Sequence, residues 1–134
     1  MMYYSQHFSE SEMTRTATNL PNKPTPQIDE NLSRLVNRVL EPLRKAMGES
    51  VQVTSGYRSP AVNKAVGGAS NSFHLRGLAA DIHIKDDDYL RRMWLALLAN
   101  ENVDKAIIEH RGKSRWLHVQ TSPTPRRFYF ELFV

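Results

Sequence analysis

The sequence predicts an α+β fold in which helices pack on one face of a small antiparallel sheet. Apolar residues at helical spacing dominate the earlier part of the chain, and short strand-like runs dominate the later part. The chain has 134 residues, which is enough for one domain with a core of its own. We expect an irregular N-terminal arm over residues 1–30, which is rich in Ser, Thr, Asn and Pro, and a single domain over residues 31–134.

The helical prediction is strongest over residues 32–47, where apolar residues recur at intervals of three and four. Gly48 is expected to end this helix. Pro42 is expected to kink it, because proline lacks an N–H donor and crowds the preceding turn. Shorter helices are predicted after Ser59 and after Asp86, since both side chains can cap a helix N-terminus.

Alternation between apolar and polar residues predicts the strands, which cover residues 51–54, 78–84, 106–109, 116–120 and 128–134. Successive side chains of a strand point to opposite faces, so Ala80 and Ile82 face the core while Asp81 faces away from it. By the same rule, Leu117 faces the core and His118 does not. Asp81 and His118 therefore converge if their two strands are neighbours.

Composition excludes several classes of protein. The chain has no cysteine, so disulfides and thiolate metal sites are excluded. No apolar run is long enough to span a membrane, and the first residues lack the pattern of a secretory signal, so we expect synthesis in the cytoplasm and no membrane partner. The net charge is +4, with basic residues crowded from Arg111 to Arg127. These basic residues are more simply explained as a solvent-exposed hairpin tip and tail than as an anion-binding patch. We expect a monomer without a nucleic-acid partner.

Two imidazoles and a carboxylate are the candidate metal ligands. His74 and Asp81 belong to an S-x-H-x-x-G-x-A-x-D run over residues 72–81, and His118 ends a W-x-H run. Three nitrogen and oxygen ligands are typical of a catalytic zinc that keeps its fourth position open for water. Each residue alone is more often an ordinary hydrogen-bonded side chain, but their combination favours a metal site.

Arg58 and Glu109 are the candidate catalytic residues. Arg58 lies on a turn, where it can hold a carboxylate or stabilise an oxyanion, and an ordinary turn arginine paired with an acid is the alternative. Glu109 comes close to the last histidine if their strands form a hairpin, so it is a candidate general base, and a solvent-facing glutamate is the equal alternative. His110 is an alternative proton shuttle, and His83 is an alternative metal ligand.

Taken together, the sequence resembles the zinc D-alanyl-D-alanine carboxypeptidase family, in particular its small single-domain members from bacteria and phages. The 72–81 run and the final W-x-H are the specific motifs, with support from residues 8–13, 39–44, 55–60 and 63–68. The resemblance implies a hedgehog/D-Ala-D-Ala-peptidase-like fold and one zinc ion bound by His74, Asp81 and His118. It also implies cleavage of peptide bonds in peptidoglycan stem peptides, with Arg58 steering the substrate carboxylate or the scissile carbonyl.

The chain departs from the resemblance at Arg115, because many relatives carry an acid three residues before the last histidine ligand. The general base is therefore expected to be Glu109 or another group. We expect the substrate to be contacted by Arg58, Ser72, Tyr57 and Trp116.

Two settings for this domain remain open. One is an enzyme of the bacterial cell wall, for which a phage or prophage lysin or a phage structural component would be a suitable context. The alternative is a zinc-containing module that binds cell-wall polymer but cleaves it weakly or not at all, and Arg115 is its main support.

Overall fold

The computed structural model describes residues 2–134 and shows the expected mixture of helices and strands. The elements in chain order are β1 (Tyr3–Ser5), β2 (Phe8–Ser9), α1 (Glu10–Met13), α2 (Pro26–Leu35), a π-helical turn (Val36–Leu40), α3 (Glu41–Met47), β3 (Val53–Ser55), α4 (Pro60–Ala65), a 3₁₀ turn (Phe73–Arg76), β4 (Ala79–His83), α5 (Asp87–Leu98), β5 (Val103–Arg111), β6 (Ser114–Thr121) and β7 (Phe128–Phe133).

The main sheet has five strands in the order β3-β4-β6-β5-β7. The first four pair antiparallel, and β7 joins the edge of the sheet parallel to β5. Buried side chains of α2, α3 and α5 share one hydrophobic core with those of the sheet. None of the helices within residues 2–134 has the length and apolar character needed to cross a bilayer.

The first 30 residues are more ordered than the arm expected from composition. β1 and β2 form a small antiparallel sheet, and Ser9 caps α1 by accepting a hydrogen bond from the Glu12 N–H. Phe8 and Met13 are buried in the main core. Burial of these two side chains ties the segment down, so the irregular backbone is confined to residues 14–25.

The long helix begins and bends for identifiable reasons. It starts at Pro26, inside the segment expected to be irregular, because the Thr25 side chain caps it and proline suits the first turn. The distortion expected at Pro42 takes the form of the π-helical turn Val36–Leu40, which lies just before it. Gly48 ends α3 in the left-handed conformation, with φ of 66°.

The two faces of the central strands differ in chemistry. Ile82, Leu117 and Val119 are wholly buried against the helices. On the opposite face, Asp81 of β4 pairs in register with His118 of β6, as alternation predicts for neighbouring strands. The middle of this second face is where the candidate functional residues lie.

Candidate metal centre

His74 is held by the 3₁₀ turn that precedes β4. Ser72 caps this turn, because its Oγ accepts a hydrogen bond from the His74 backbone N–H. Gly77 ends the turn with φ of 72°, and a Cβ there would come within 3.1 Å of atoms of α2. The close approach to α2 fixes the turn, and the His74 residue is only 2% exposed.

Asp81 lies between the two histidines. Its Oδ1 is 3.2 Å from His74 Nε2 and 3.2 Å from His118 Nδ1. One ligand atom from each of the three residues lies within 4.8 Å of the other two. The fold therefore brings together the three residues that the sequence singles out, in a group compact enough for one metal ion.

The tautomer of His74 follows from its hydrogen-bond partner. Its Nδ1 lies 2.7 Å from the carbonyl oxygen of Gly56, which can only accept, so Nδ1 carries the proton. The neutral ring then presents an unprotonated Nε2 to Asp81. Gly56 suits this place because a Cβ would lie 2.3 Å from the Met13 carbonyl oxygen.

A chain of hydrogen bonds sets the tautomer of His118. The Asp104 carboxylate accepts from Gln120 Nε2 at 2.8 Å, which leaves Gln120 Oε1 as an acceptor. His118 Nε2 therefore carries the proton and donates to that Oε1 at 2.7 Å. Its Nδ1 is left unprotonated, facing Asp81. Hydrogen bonds of this kind orient metal-ligating histidines.

The donor set fits a cation. Two imidazole lone pairs and a carboxylate oxygen point at one small volume, where they would repel each other without a positive charge between them. Two nitrogens and one oxygen are ligands that zinc accepts, and three protein ligands leave a fourth coordination position open.

Electrostatics at the site follow from the same contacts. Burial acts to raise the pKa of Asp81, but His74 and His118 outweigh it and lower that pKa. Burial acts to lower the pKa of His118, but Asp81 outweighs it and raises that pKa, because a second proton, on Nδ1, would donate a hydrogen bond to this carboxylate and be attracted by its charge. The carboxylate thus stays ionised beside the two imidazoles.

Arg58 supports Asp81 from the side away from the histidines. Its Nη2 donates to Asp81 Oδ2 at 3.1 Å, which leaves Oδ1 for the histidine side. Its Nε donates to Ser55 and its Nη1 to Asn63. Each of the three nitrogens therefore already has a partner within the protein, so Arg58 is first of all a positioning residue for Asp81.

Glu109 lies on the rim of the same group. It shares the site face of the sheet, opposite Trp116 in the β5–β6 ladder. Its Oε1 is 3.8 Å from His118 Nδ1. Burial and the nearby charge of Asp81 raise its pKa. The half-buried carboxylate is thus close enough to the cluster of His74, Asp81 and His118 (the metal group) to exchange a proton with a molecule bound there.

Three other residues considered from the sequence lie elsewhere. His110 and Arg115 pair with each other across β5 and β6 on the face opposite Glu109. His110 contacts Glu131 and stacks on Phe133, and Arg115 donates to Asp87. An acid at position 115 would point away from the metal group in this register. His83 is exposed at the end of β4 and lies outside that group.

A cavity of about 670 Å³ opens over the metal group. Ser72, Trp116 and Arg58 line it, and their contact with a substrate stays a prediction. Tyr57 does not line the cavity; its side chain is buried in the hydrophobic core, where it cannot contact a substrate as the sequence suggested. The sequence around a tyrosine next to a turn does not indicate whether its ring packs into the core or faces solvent.

Gln120 and Asp104, which hold His118 through hydrogen bonds, were assigned no role from the sequence. Gln120 could have been found, because alternation places it on the same strand face as His118. Asp104 could not, because a bulge between Val103 and Lys105 turns its side chain toward Gln120. Bulges of this kind have no reliable signature in apolar periodicity.

Comparison with known proteins agrees with this geometry. Residues 6–120 match the family model described as Peptidase M15. A segment of 44 residues is 50% identical to a zinc D-Ala-D-Ala carboxypeptidase of Streptomyces albus G. That match covers 32% of this chain and 17% of the relative. The chain therefore belongs to the peptidase M15 family, and its His–Asp–His group is positioned to bind one zinc ion.

Proposed function

We propose that this chain hydrolyses peptide bonds in peptidoglycan stem peptides, as a carboxypeptidase or an endopeptidase that depends on zinc. The observation that carries the proposal is the convergence of His74, Asp81 and His118 at the floor of a cavity with Glu109 on its rim. When zinc is bound, it polarises the scissile carbonyl and lowers the pKa of bound water to about 7.

Glu109 is the general base in this proposal. Its carboxylate takes the proton of the attacking water and then delivers it to the leaving amine. The position of Glu109 on the site face supports this role, as does the distance of 3.8 Å between its Oε1 and His118 Nδ1.

Arg58 has two tasks in this proposal. Its Nη2 holds Asp81 Oδ2, so that Oδ1 keeps its position between the histidines. A guanidinium has five N–H groups, and three hydrogen bonds leave two of them. Because Arg58 lines the cavity, these two can stabilise the oxyanion that forms on the scissile carbonyl.

The alternative function, a wall-binding module without activity, rested on Arg115. Strand alternation turns position 115 away from the metal group, while Glu109 lies beside it. The absence of an acid at 115 therefore does not remove the general base from this fold. Action as a phage or prophage lysin is the setting we propose for the enzyme.

The test is hydrolysis of purified peptidoglycan by the zinc-loaded protein, with new amino and carboxyl termini identified by mass spectrometry. We expect release of stem-peptide fragments that stops with chelator and returns when zinc is added back. Binding to the wall without any release, at full zinc occupancy, would contradict the proposal and support the wall-binding module.

A further inference from the structure

Several basic side chains line the cavity without contacting the three candidate metal ligands. Lys105, Arg111 and Arg126 line it in addition to Arg58. Lys105 and Arg111 lie on β5, six residues apart and so about 20 Å apart along the strand. Between them, Ile107 pairs with His118, so the metal group lies between the two cations.

The end of the cavity near Lys105 is built on a buried carboxylate. Asp104 is 0% exposed. Its two oxygens accept hydrogen bonds from Arg126 Nε at 3.0 Å, Arg126 Nη2 at 2.7 Å and the Arg126 backbone N–H at 2.9 Å. This arrangement fixes the guanidinium in one orientation. Its Nη1 makes no hydrogen bond to any of residues 2–134.

Lys105 lines the same cavity as Arg126, at a position set by the bulge in β5. The bulge sets Lys105 opposite Gln120, the residue that also binds Asp104. Within the described part of the chain, no carboxylate lies within 4 Å of the Lys105 ammonium, whereas Asp104 is already paired with Arg126. This end of the cavity therefore has an ammonium without a carboxylate partner among the described residues, and a guanidinium that is held in place.

We propose that Lys105 and Arg126 form a binding subsite for a free carboxylate of the peptide substrate. Arg58, the residue that the sequence first suggested for this task, uses three of its N–H groups on Asp81, Ser55 and Asn63, and the other two serve the oxyanion in the proposed function. Lys105 lies two residues from Ile107, or about 7 Å along the strand, which is about two residues of an extended peptide. The substrate class is thus an acidic peptide with a carboxylate about two residues from the cleaved bond.

This inference rests on the proposed function, and its test separates the two. A stem peptide is compared with derivatives in which one carboxylate at a time is converted to a carboxamide. We expect one derivative to show about tenfold lower kcat/KM with the wild-type protein, mainly through KM. Lys105→Met should lower kcat/KM for the parent peptide to a similar extent and leave that derivative unchanged.

Two further variants complete the experiment. Lys113→Met removes a cation from the exposed β5–β6 turn, outside the cavity. This variant should have the wild-type kcat/KM for the parent peptide and for the carboxamide derivative. Arg126→Lys keeps a charge beside buried Asp104, so the variant folds, but loses the fixed guanidinium; it should reduce the preference for the free carboxylate. Zinc content is measured for each variant and should stay at one ion per chain.

The outcomes are distinguishable. If the wild-type protein cleaves the parent peptide and all carboxamides equally, or Lys105→Met slows all of them equally, the subsite is overturned while the activity stands. If zinc-loaded protein cleaves none of them, the proposed function fails. The subsite is then judged by calorimetry, which must show tighter binding of the parent peptide than of one carboxamide, and loss of that difference in Lys105→Met.

Discussion

Both faces of the central strands are buried, but one face holds apolar side chains and the other holds polar ones. On the helix side, Leu117 and Ile82 are 0% exposed and contribute apolar burial, which stabilises the fold. On the other side, His118 and Asp81 are each only 8% exposed, yet their polar atoms are directed at one another and at hydrogen-bond partners. Neighbouring residues of one strand should therefore respond differently to substitution. Changes on the helix side should lower the free energy of unfolding, and changes on the other side should lower zinc binding.

The largest effect is expected from the pair His118→Ala and Leu117→Ala. Loss of His118 removes one of three ligands, so zinc and activity should disappear together. Because zinc supplies several kcal/mol of transition-state stabilisation, we expect kcat/KM to fall about 10³-fold or more. Leu117→Ala should lower the free energy of unfolding by about 2–5 kcal/mol through the cavity it leaves, with zinc bound as before.

Zinc content by elemental analysis, activity and denaturant unfolding together check this pair. The comparison between the two faces breaks down if folded Leu117→Ala loses its zinc, or if His118→Ala keeps a full complement of zinc.

The next effect concerns Glu109 and Arg115, which lie on opposite faces of the same hairpin. Glu109→Gln should retain zinc and lower kcat by roughly 10²–10⁴-fold, because an amide cannot accept the proton of the attacking water. Arg115→Gln should change kcat little, since its side chain points away from the cavity toward Asp87. Near-normal turnover in zinc-loaded Glu109→Gln would remove this residue from the role of base.

A smaller effect is expected behind the metal group, at Gln120. Gln120→Leu leaves the His118 Nε2–H without its acceptor, so the ring is no longer held in the tautomer that presents Nδ1. Zinc affinity, measured by competition with a chromophoric chelator, should fall about 10–100-fold. The exposed Gln27 of α2 provides the control variant Gln27→Leu, which should bind zinc like the wild type. Unchanged affinity in Gln120→Leu would show that the hydrogen bond to His118 is dispensable.

The smallest effect on activity is expected on the helix side, at buried Glu41. Burial alone would raise the pKa of Glu41, but hydrogen bonds from Ser5 and His7 outweigh it and lower the pKa to about 2. A carboxyl whose pKa is lowered on folding stabilises the folded state above its unfolded pKa. That contribution is lost as the pH falls from about 4.5 to about 2.

Glu41→Gln should therefore lower the free energy of unfolding by up to about 3 kcal/mol near neutral pH, and by progressively less as the pH falls toward 2. Denaturant unfolding at several pH values measures the difference from wild type, with exposed Glu30→Gln as the control. A difference that stays constant from pH 7 to pH 2 would contradict the account of this contact, which attaches the N-terminal hairpin to α3.

Much of the site could be predicted from sequence because alternation in strands is a short-range rule. The direction of Asp81 and His118 followed from it, and so did the opposite directions of Glu109 and His110. Helix caps were also predictable: Ser59 and Asp86 cap α4 and α5 as expected, since each side chain binds a backbone N–H of its own first turn.

The remaining features depend on long-range contacts or on local irregularities. Burial of Phe8 and Met13 against the main core orders the N-terminal segment, and composition alone suggested an irregular arm. The bulge that turns Asp104 toward Gln120 breaks the alternation on which strand predictions rest. The direction of β7 is likewise set by its pairing with β5, which no pattern within residues 128–134 specifies.

The most direct test of the central claim is anomalous diffraction from crystals of the zinc-loaded protein, recorded above and below the zinc absorption edge. We expect one peak per chain that appears only above the edge, bounded by His74 Nε2, Asp81 Oδ1 and His118 Nδ1. No peak among these three atoms in crystals grown with zinc, or a peak held by other residues, would contradict the account.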